Sequence, residues 1–345
     1  MKHTNPFITA LAILTIANVA ACSGSTSSGD DVSNSNVDLS FSDAPVDGAE
    51  EVVIAVESVT FRGNGDDIVV DTFTSEALGL QDAESFSLDL LTVQGEDRRL
   101  VIDSVELPVG DYSNMLIDVA DEDASRSYVT EIGGARKELK VPSDQLKLGG
   151  FTISPVIRQS MVVEFGLEQS MTYNPGAERY ILKPRGVRIL SLDQASQITG
   201  MIDHVALVND GCSALETGGV AGSLHLYPAQ EAANATLADN FDPETAQGAG
   251  AAVAPYASVS LDQADFVFSY LEPGSYVLAV ACGTIDDDPA VYQPADLTIP
   301  NPTDQQLPVT LAPGERLVCT VPLAEGVCRF EDTANQGSAV SASND

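Results

Sequence analysis

Hydrophobic and polar residues alternate along most of the chain from Val37 onward. The stretch VDLSF places Val37, Leu39 and Phe41 on one side of an extended segment, with Asp38 and Ser40 on the other. A period of two is typical of strands that bury one face, and stretches with the helical period of 3.6 are almost absent. The pattern therefore predicts an all-β fold of the antiparallel β-sandwich type.

Two series of such segments follow one another. The first series predicts strands at 37–41, 52–61, 68–73, 86–91, 99–107, 112–119, 160–167 and 179–190. The second predicts strands at 198–208, 220–228, 256–261, 265–271, 276–282, 307–311 and 316–321. Because the polar stretch SLDQASQ at 191–197 separates them, we predict two tandem antiparallel β-sandwich domains, over 37–192 and 197–325.

Three segments depart from the alternation. The stretch SEALGLQDAES at 75–85 is a candidate short helix with Ser75 as its N-cap. Residues 229–255 are rich in Ala, Asn, Asp and Gly, and we interpret them as a mobile loop. The tail at 331–345 is small and polar, which predicts disorder.

A short motif occurs in both series. ELPVGDY at 106–112 matches LEPGSY at 271–276, and LAPGERL at 311–317 is a looser third copy. Each copy has a turn containing Pro or Gly before a predicted strand, and Tyr112 and Tyr276 open the strand in the first two. We interpret the motif as a structural turn whose aromatic residue packs across the sandwich.

The N-terminus has the features of an export signal. Lys2 and His3 precede an uncharged run from Phe7 to Ala21, which is shorter than the roughly 20 apolar residues of a membrane span. The residues Val19-Ala20-Ala21-Cys22 resemble the bacterial lipobox, which implies a signal peptide over 1–21 and a lipid on Cys22. The alternative is an ordinary signal peptide with Cys22 as a bystander.

Residues 22–36 are mostly Ser, Gly, Asn and Asp, which predicts a flexible linker behind the lipidated cysteine. By resemblance to proteobacterial sorting, Ser23 in place of an aspartate favours the outer membrane or the cell surface. The expected partners are therefore the membrane, through the lipid anchor, and glycans or other envelope proteins. The sequence leaves the oligomeric state open.

Charge and cysteine content narrow the class of protein further. The chain carries 51 acidic and 16 basic residues, a net charge of −35, so its surface repels phosphate backbones and we expect no nucleic-acid partner. Four cysteines besides Cys22 predict two structural disulfides in an exported chain; they are Cys212, Cys282, Cys319 and Cys328. Three pairings are open, of which one joins the two cysteines closest in sequence.

No catalytic motif is found, so we expect no catalytic residues and no enzyme activity. The mature chain has only two histidines, His204 and His225, and both fall in predicted strands, where ordinary sheet positions explain them. We also expect no cofactor. Calcium is the exception that we consider, because oxygen ligands cluster at two acidic stretches, and a solvated acidic turn is the alternative. The residues concerned are Asp121, Asp123, Asp286, Asp287 and Asp288.

Sugar binding has weak support in the sequence. The chain has no Trp, the usual stacking residue, and most of its Tyr and Phe residues fall on core positions of the alternation. Tyr256 and Tyr292, with Tyr173, lie at the margins of predicted loops, where an exposed ring could contact a ligand.

Three motifs of the first series resemble a bacterial and archaeal family known as domain of unknown function 4382. They are LSFSDAPVDGAEEVVIAVESVTF at 39–61, LPVGDYSNMLIDV at 107–119 and YILKPRGVRIL at 180–190. The resemblance covers about 37–192 and implies exported lipoproteins with a β-rich domain and no established activity.

The second series, over 197–325, resembles the carboxypeptidase regulatory-like domain, a prealbumin-type β-sandwich. ITGMID, VAGSLHLYPA and ADFVFSYLEPGSYVLAVA carry the resemblance. Where that family usually has an Asp-Gly hairpin turn, this chain has Gln263-Ala264-Asp265, and the preceding loop is longer. The resemblance implies an accessory module that acts as a spacer, a stabiliser or, in some members, a carbohydrate binder.

These observations favour a non-enzymatic lipoprotein of the cell envelope that serves as a structural, adhesive or ligand-presenting module. A carbohydrate-binding module that uses the second domain is the main alternative. An unrecognised hydrolase is a further one.

Overall fold

The computed structural model describes residues 33–44, 48–63, 65–120, 124–242, 251–284 and 298–331. Several predicted features lie outside these residues: the signal peptide, the lipidation site Cys22, Tyr292, the calcium candidates Asp121, Asp123, Asp286, Asp287 and Asp288, and the tail at 332–345. No helix in the described part of the chain is long and apolar enough to span a membrane.

The first half of the described chain contains 17 strands. They are β1 (Asn34–Asp43), β2 (Ala49–Arg62), β3 (Ile68–Val70), β4 (Phe73–Ser75), β5 (Leu80–Ala83), β6 (Phe86–Asp89), β7 (Arg99–Pro108), β8 (Gly110–Tyr112), β9 (Asn114–Val119), β10 (Tyr128–Glu131), β11 (Arg136–Lys140), β12 (Gln145–Lys147), β13 (Phe151–Ile153), β14 (Arg158–Phe165), β15 (Met171–Asn174), β16 (Arg179–Leu182) and β17 (Val187–Ser191). Single helical turns lie at α1 (Leu167–Ser170) and, as 3₁₀ turns, at Glu76–Leu78, Leu90–Val93 and Pro142–Asp144.

The second half follows directly. Its strands are β18 (Ser196–Ile202), β19 (Gly222–Pro228), β20 (Thr236–Leu237), β21 (Ala252–Val253), β22 (Ala257–Ser260), β23 (Asp265–Leu271), β24 (Gly274–Cys282), β25 (Gln306–Leu311), β26 (Arg316–Val321) and β27 (Arg329–Phe330). Two short helices, α2 (His204–Asn209) and α3 (Ala229–Ala232), complete it.

Each half is built from two main sheets, and the predicted all-β fold is confirmed. In the first sandwich a four-stranded sheet, β17-β14-β1-β7, faces a nine-stranded sheet centred on β2. In the second sandwich the sheets are β23-β18-β26-β27 and β22-β19-β24-β25. Most pairs are antiparallel, as predicted, and four are parallel: β1 with β14, β11 with β16, β18 with β26, and β20 with β21.

Period-two burial produces a separate apolar core in each sandwich. In the first, Phe41 lies 5.4 Å from Phe165 and 6.0 Å from Phe86 between ring centroids. The described core of the first sandwich draws on residues between Val37 and Ile189, and that of the second on residues between Ile198 and Leu323. Residues 34–36, which we assigned to the linker, form the start of β1 and pair with the end of β7.

The Pro/Gly-Tyr motif forms the same local structure in both sandwiches. The Tyr112 hydroxyl donates to the Pro108 carbonyl at 3.0 Å, and the Tyr276 hydroxyl donates to the Glu272 carbonyl at 2.7 Å. Both rings are almost fully buried. The third copy has no tyrosine, and there the Glu315 carboxylate accepts the Ala312 N–H at 2.7 Å.

Two local predictions need correction. The strand predicted over 198–208 ends at Ile202, because the Asp203 carboxylate accepts the Ala206 N–H at 3.0 Å and caps α2, which begins at His204. The candidate helix at 75–85 is a single 3₁₀ turn that Ser75 caps as predicted, and β5 follows it.

The insertion predicted as a mobile loop is partly ordered. Within it, α3 is followed by β20, which pairs in parallel with β21. The Tyr227 hydroxyl donates to the Ala238 carbonyl at 2.5 Å, and Phe241 is 2 % exposed. Because its apolar residues pack against β19 and β24, this part of the insertion forms one wall of the site described below.

The second sandwich contains both predicted disulfides. Cys212, after α2, pairs with Cys282 at the end of β24, across a separation of 70 residues. Cys319 on β26 pairs with Cys328, nine residues later. Disulfides are typical of proteins exported to an oxidising compartment.

Candidate functional site

The outer face of the four-stranded sheet is where the second sandwich packs. Along β14, Met161, Val163 and Phe165 point into the first core, so Val162 and Glu164 point away from it. Val162 and its register partner Leu190 form a small apolar cluster with Tyr270 of β23. The two sandwiches therefore share a buried contact, which we call the junction.

One end of the junction is held by the 94–97 turn of the first sandwich. The Tyr270 hydroxyl donates to the Glu96 carbonyl at 2.7 Å, and the Glu96 carboxylate accepts from Gln197 at 2.5 Å. Arg316 forms an ion pair with the same carboxylate. These contacts join β18, β23 and β26 to the first sandwich.

A series of buried side chains linked by hydrogen bonds, which we call the buried polar chain, holds the other end of the junction. His225 Nδ1 lies 2.7 Å from Ser258 Oγ, which donates to Asn240 Oδ1 at 3.1 Å. Gln169 Nε2 donates to the same oxygen at 3.4 Å and brings the chain into the first sandwich. The ordered part of the insertion supplies Asn240, so the segment predicted as a loop connects the two halves.

The Ser258–His225 contact is structural. His225 and Ser258 are 0 % and 2 % exposed, which leaves no path for a substrate. Because the serine hydroxyl donates to Asn240, His225 Nδ1 acts as the donor to Ser258, and Nε2 has no hydrogen-bond partner among the described residues. Burial lowers the pKa of His225 to about 3, so the imidazole is neutral at physiological pH.

Two buried carboxyl groups lie on the neighbouring strands β1 and β14, where Asp43 is opposite Phe165 and Glu164 is opposite Ser42. Asp43 and Glu164 are 0 % and 1 % exposed, and neither oxygen of Glu164 has a hydrogen-bond partner in the described structure. Burial raises the pKa of Glu164 to about 8, against the attraction of Arg188 opposite it on β17. Burial also raises the pKa of Asp43 well above its usual value, and Glu164 adds to that shift. Because both groups are out of reach of solvent, they do not form a catalytic acid pair.

A cleft of about 370 Å³ opens at the junction beside this buried region. The side chains that matter for its chemistry are Gln169, Arg185 and Arg188 from the first sandwich, with Glu231, Phe241 and Tyr256 from the second. We call this space the junction cleft. Its volume falls within the usual range for small-molecule sites, roughly 300–1,000 Å³.

The two arginines are held by backbone carbonyls. Arg185 Nη1 donates to the Gln169 carbonyl at 2.9 Å, and Arg188 Nη1 donates to the Tyr256 carbonyl at 3.2 Å. The Arg188 guanidinium also lies 4.7 Å from the centre of the Tyr256 ring, a cation–π contact. Burial lowers the pKa of Arg185, which still leaves an arginine charged.

Of the predicted ligand-binding tyrosines, Tyr256 lies in the cleft wall. Its ring is half-buried between Arg188 and Tyr276, its hydroxyl oxygen is buried, and burial raises its pKa. Tyr256 therefore supports Arg188 instead of offering a free ring face, and its role in ligand binding stays a prediction. Tyr173 lies on β15, is 36 % exposed, and packs against Tyr180 at 5.0 Å.

The arginines of the cleft were missed by the sequence analysis. One signal could have found them: KPRGVR at 183–188 gathers three of the 16 basic residues of a strongly acidic chain. Nothing in the described part of the chain groups three or more His, Cys, Asp or Glu side chains in a way that could hold a metal ion.

A family model matches part of the chain. Residues 34–184 match the model described as a domain of unknown function (DUF4382), which overlaps the range 37–192 that carried the resemblance. The resemblance of 197–325 to the carboxypeptidase regulatory-like domain stays a prediction. A search of curated proteins finds no match.

Solved structures give only distant likenesses. The TIE protein of Bacillus anthracis is 10% identical with a TM-score of 0.19, and the match covers 83% of this chain and 34% of that chain, so this chain spans about a third of it. A proposed cell adhesion protein from Bacteroides eggerthii is 11% identical, with a TM-score of 0.19 and coverages of 88% and 96%. One from Bacteroides fragilis is 12% identical, with a TM-score of 0.21 and coverages of 86% and 96%. Likenesses this distant carry no conclusion about function.

Proposed function

We propose that this protein is an exported, non-enzymatic surface module that binds a ligand at the junction cleft and is anchored through a lipid on Cys22. The observation that carries the proposal is the cleft itself, whose two walls come from different sandwiches that a buried polar chain holds together. Such a site is preorganised, because its arginines are held in place before any ligand arrives.

The chemistry of the buried groups supports binding over catalysis. The Ser258–His225 contact and the buried carboxyls of Asp43 and Glu164 are the groups that most resemble catalytic ones, and all four residues are closed to solvent. The groups that do line the cleft are arginines, an amide and a carboxylate, which suit hydrogen bonding to a ligand.

This proposal is tested by measuring whether immobilised probes retain the protein and whether the protein converts the same probes to products. The full chain, purified in detergent, is passed over immobilised polysaccharides and peptides, and the same probes are then incubated with it in solution. We expect retention of at least one class of probe and no product release. Product release that scales with protein concentration, or no retention on any class, would contradict the proposal.

The anchor is tested separately by metabolic labelling with a palmitate analogue. We expect label on the wild-type protein and on Ser23→Ala, and none on Cys22→Ala. Label that persists in Cys22→Ala would place the lipid elsewhere or remove this part of the proposal.

A carbohydrate is the second candidate that a specific observation favours. The cleft combines hydrogen-bonding side chains with the apolar surfaces of Pro228, Pro255 and Phe241, a mixture that suits a sugar ring with its polar edge and apolar face. In this proposal Tyr256 contributes by supporting Arg188, and a direct contact of Tyr256 with a ligand stays a prediction.

A further inference from the structure

The junction cleft gathers positive charge in a chain whose net charge is −35. Its lining contains two arginines, Arg185 and Arg188, against the single carboxylate of Glu231. An acidic surface repels anions at a distance, so an anion is held only where cations dominate locally and solvent screening is reduced.

The guanidinium groups keep most of their hydrogen-bonding capacity. A guanidinium has five N–H donors, and the described structure gives Arg185 and Arg188 one hydrogen bond each, both to backbone carbonyls. Within the described ranges neither arginine forms an ion pair with a carboxylate. Arg188 Nε is buried, so the donors available to a ligand are the terminal N–H groups that the carbonyls leave unused.

The carboxyl groups nearest the arginines do not compete for them. Asp242, which lies near Arg185, is engaged by the ion pair with Lys183. Glu164 lies opposite Arg188 on the neighbouring strand, and burial raises its pKa to about 8, so it is mostly protonated at neutral pH. Among the described residues neither arginine is therefore held in an ion pair of its own, although the charge of Asp242 attracts Arg185.

The rest of the lining limits the kind of anion. Glu231 is exposed at the cleft and can accept hydrogen bonds from ligand hydroxyls, while the side-chain amide of Gln169 is engaged by Asn240. Pro228, Pro255 and Phe241 add apolar surface. A ligand that matches these groups has a carboxylate for the arginines, several hydroxyls and an apolar face.

We propose that the junction cleft binds a carboxylate-bearing saccharide, with Arg185 and Arg188 holding the carboxylate and Glu231 accepting from ring hydroxyls. This inference rests on the proposed binding function and names its ligand class. Arginine suits the task because its planar fork pairs with both oxygens of a carboxylate.

The test compares matched saccharides on the full chain purified in detergent. Trigalacturonate is the acidic probe, galactotriose is the neutral one, and a short poly-glutamate peptide supplies carboxylates without a sugar. We expect trigalacturonate to bind at least roughly tenfold more tightly than either control, since a hydrogen bond to a charged group is stronger than one between neutral groups. Its affinity should fall as salt is raised.

Variants locate the site. Arg185→Gln should weaken trigalacturonate binding roughly tenfold, and Arg185→Lys by less, because the charge stays while the fork is lost. Arg62→Gln is the matched control, since Arg62 pairs with Asp67 outside the cleft and its loss should change nothing. As a measurement independent of substitution, hydrogen exchange in wild-type protein should slow at residues 182–188 and 251–256 when trigalacturonate is added.

The outcomes separate this inference from the proposed function. Equal binding of galactotriose or poly-glutamate, or trigalacturonate binding that Arg185→Gln leaves unchanged, would overturn the acidic-saccharide inference while binding itself stands. Binding of other probes but not of trigalacturonate would likewise overturn the acidic-saccharide inference and leave the binding function standing. No retention of any probe would overturn both.

Discussion

The two sandwiches are stabilised in different ways. The first has a large core in which Phe41 packs edge to face on Phe165 and at a tilt against Phe86. The cysteines of the folded region all lie in the second. The second sandwich has a smaller core and two disulfides. Non-covalent contacts stabilise the first sandwich, whereas the second adds two disulfides. This difference predicts how each sandwich responds to substitution, reduction and pH.

The largest expected effect is on the core of the first sandwich. Phe41→Ala removes a fully buried ring, and we expect it to lower the free energy of unfolding by about 3–5 kcal/mol. Denaturant unfolding followed by far-UV circular dichroism measures this, because the chain has no Trp to serve as a fluorescent probe. Val69→Ala, at a position 53% exposed, is the control and should have little effect. A loss below about 1 kcal/mol for Phe41→Ala would show that this core is not the main support.

The disulfides of the second sandwich come next. Removing the Cys212–Cys282 bond by a double Ala substitution should cost about 4 kcal/mol, and removing Cys319–Cys328 about 2.5 kcal/mol, because the longer loop gains more entropy on unfolding. Calorimetry of both variants, with and without a reductant, tests the order. The expected order is wrong if loss of Cys319–Cys328 lowers the stability more than loss of Cys212–Cys282. It is also wrong if reductant lowers the stability of wild type and of a variant lacking both bonds by the same amount.

The junction between the sandwiches should respond to pH through Glu164. Its pKa is raised from 4.5 to about 8 in the folded protein, so folding favours the protonated form. The associated stability is present below pH 4.5, falls as pH rises from 4.5 to about 8, and is constant above that. Glu164→Gln removes this titration.

We therefore expect the free energy of unfolding of Glu164→Gln to rise relative to that of wild type as pH rises from 5 to 8, by a few kcal/mol. The difference cancels contributions that both proteins share, such as that of His225. Glu57→Gln, at an exposed position paired with Arg126, is the control and should show no such trend. A flat difference for Glu164→Gln would mean that Glu164 is ionised and paired with Arg188.

The smallest effect concerns the feature that the two sandwiches share. Tyr112→Phe and Tyr276→Phe each remove one hydroxyl that donates to a carbonyl four residues earlier, and each should cost about 1 kcal/mol. Thermal unfolding of both variants gives the comparison. A marked loss for one and none for the other would show that the motif has different roles in the two halves.

Much of the fold could be read from the sequence because it depends on local pattern. The alternation in VDLSF predicts the burial of Val37, Leu39 and Phe41, and the repeated Pro/Gly-Tyr segment predicts equivalent turns. Where a single residue overrode the pattern, prediction failed: the Asp203 cap converts the end of an expected strand into α2. The prediction of a mobile loop over 229–255 failed for another reason, since Phe241 and Asn240 are ordered by distant partners.

The candidate site could be predicted only in fragments. Tyr256 was singled out from its place beside a loop, but its contact with Arg188 joins residues 68 positions apart. The basic stretch at 183–188 was visible as composition, without any indication of what it faces.

The sequence by itself therefore determined the all-β architecture and the turns, because strand alternation and turn chemistry act over a few residues. It also gives the number of cysteines available for pairing, and the export signal that it predicts stays a prediction. Only the tertiary structure decided the junction, where Glu164 is buried, His225 becomes neutral and two arginines come to line one cleft. These properties depend on which sheet faces cover each other, and burial and charge at such contacts come from residues far apart in the chain.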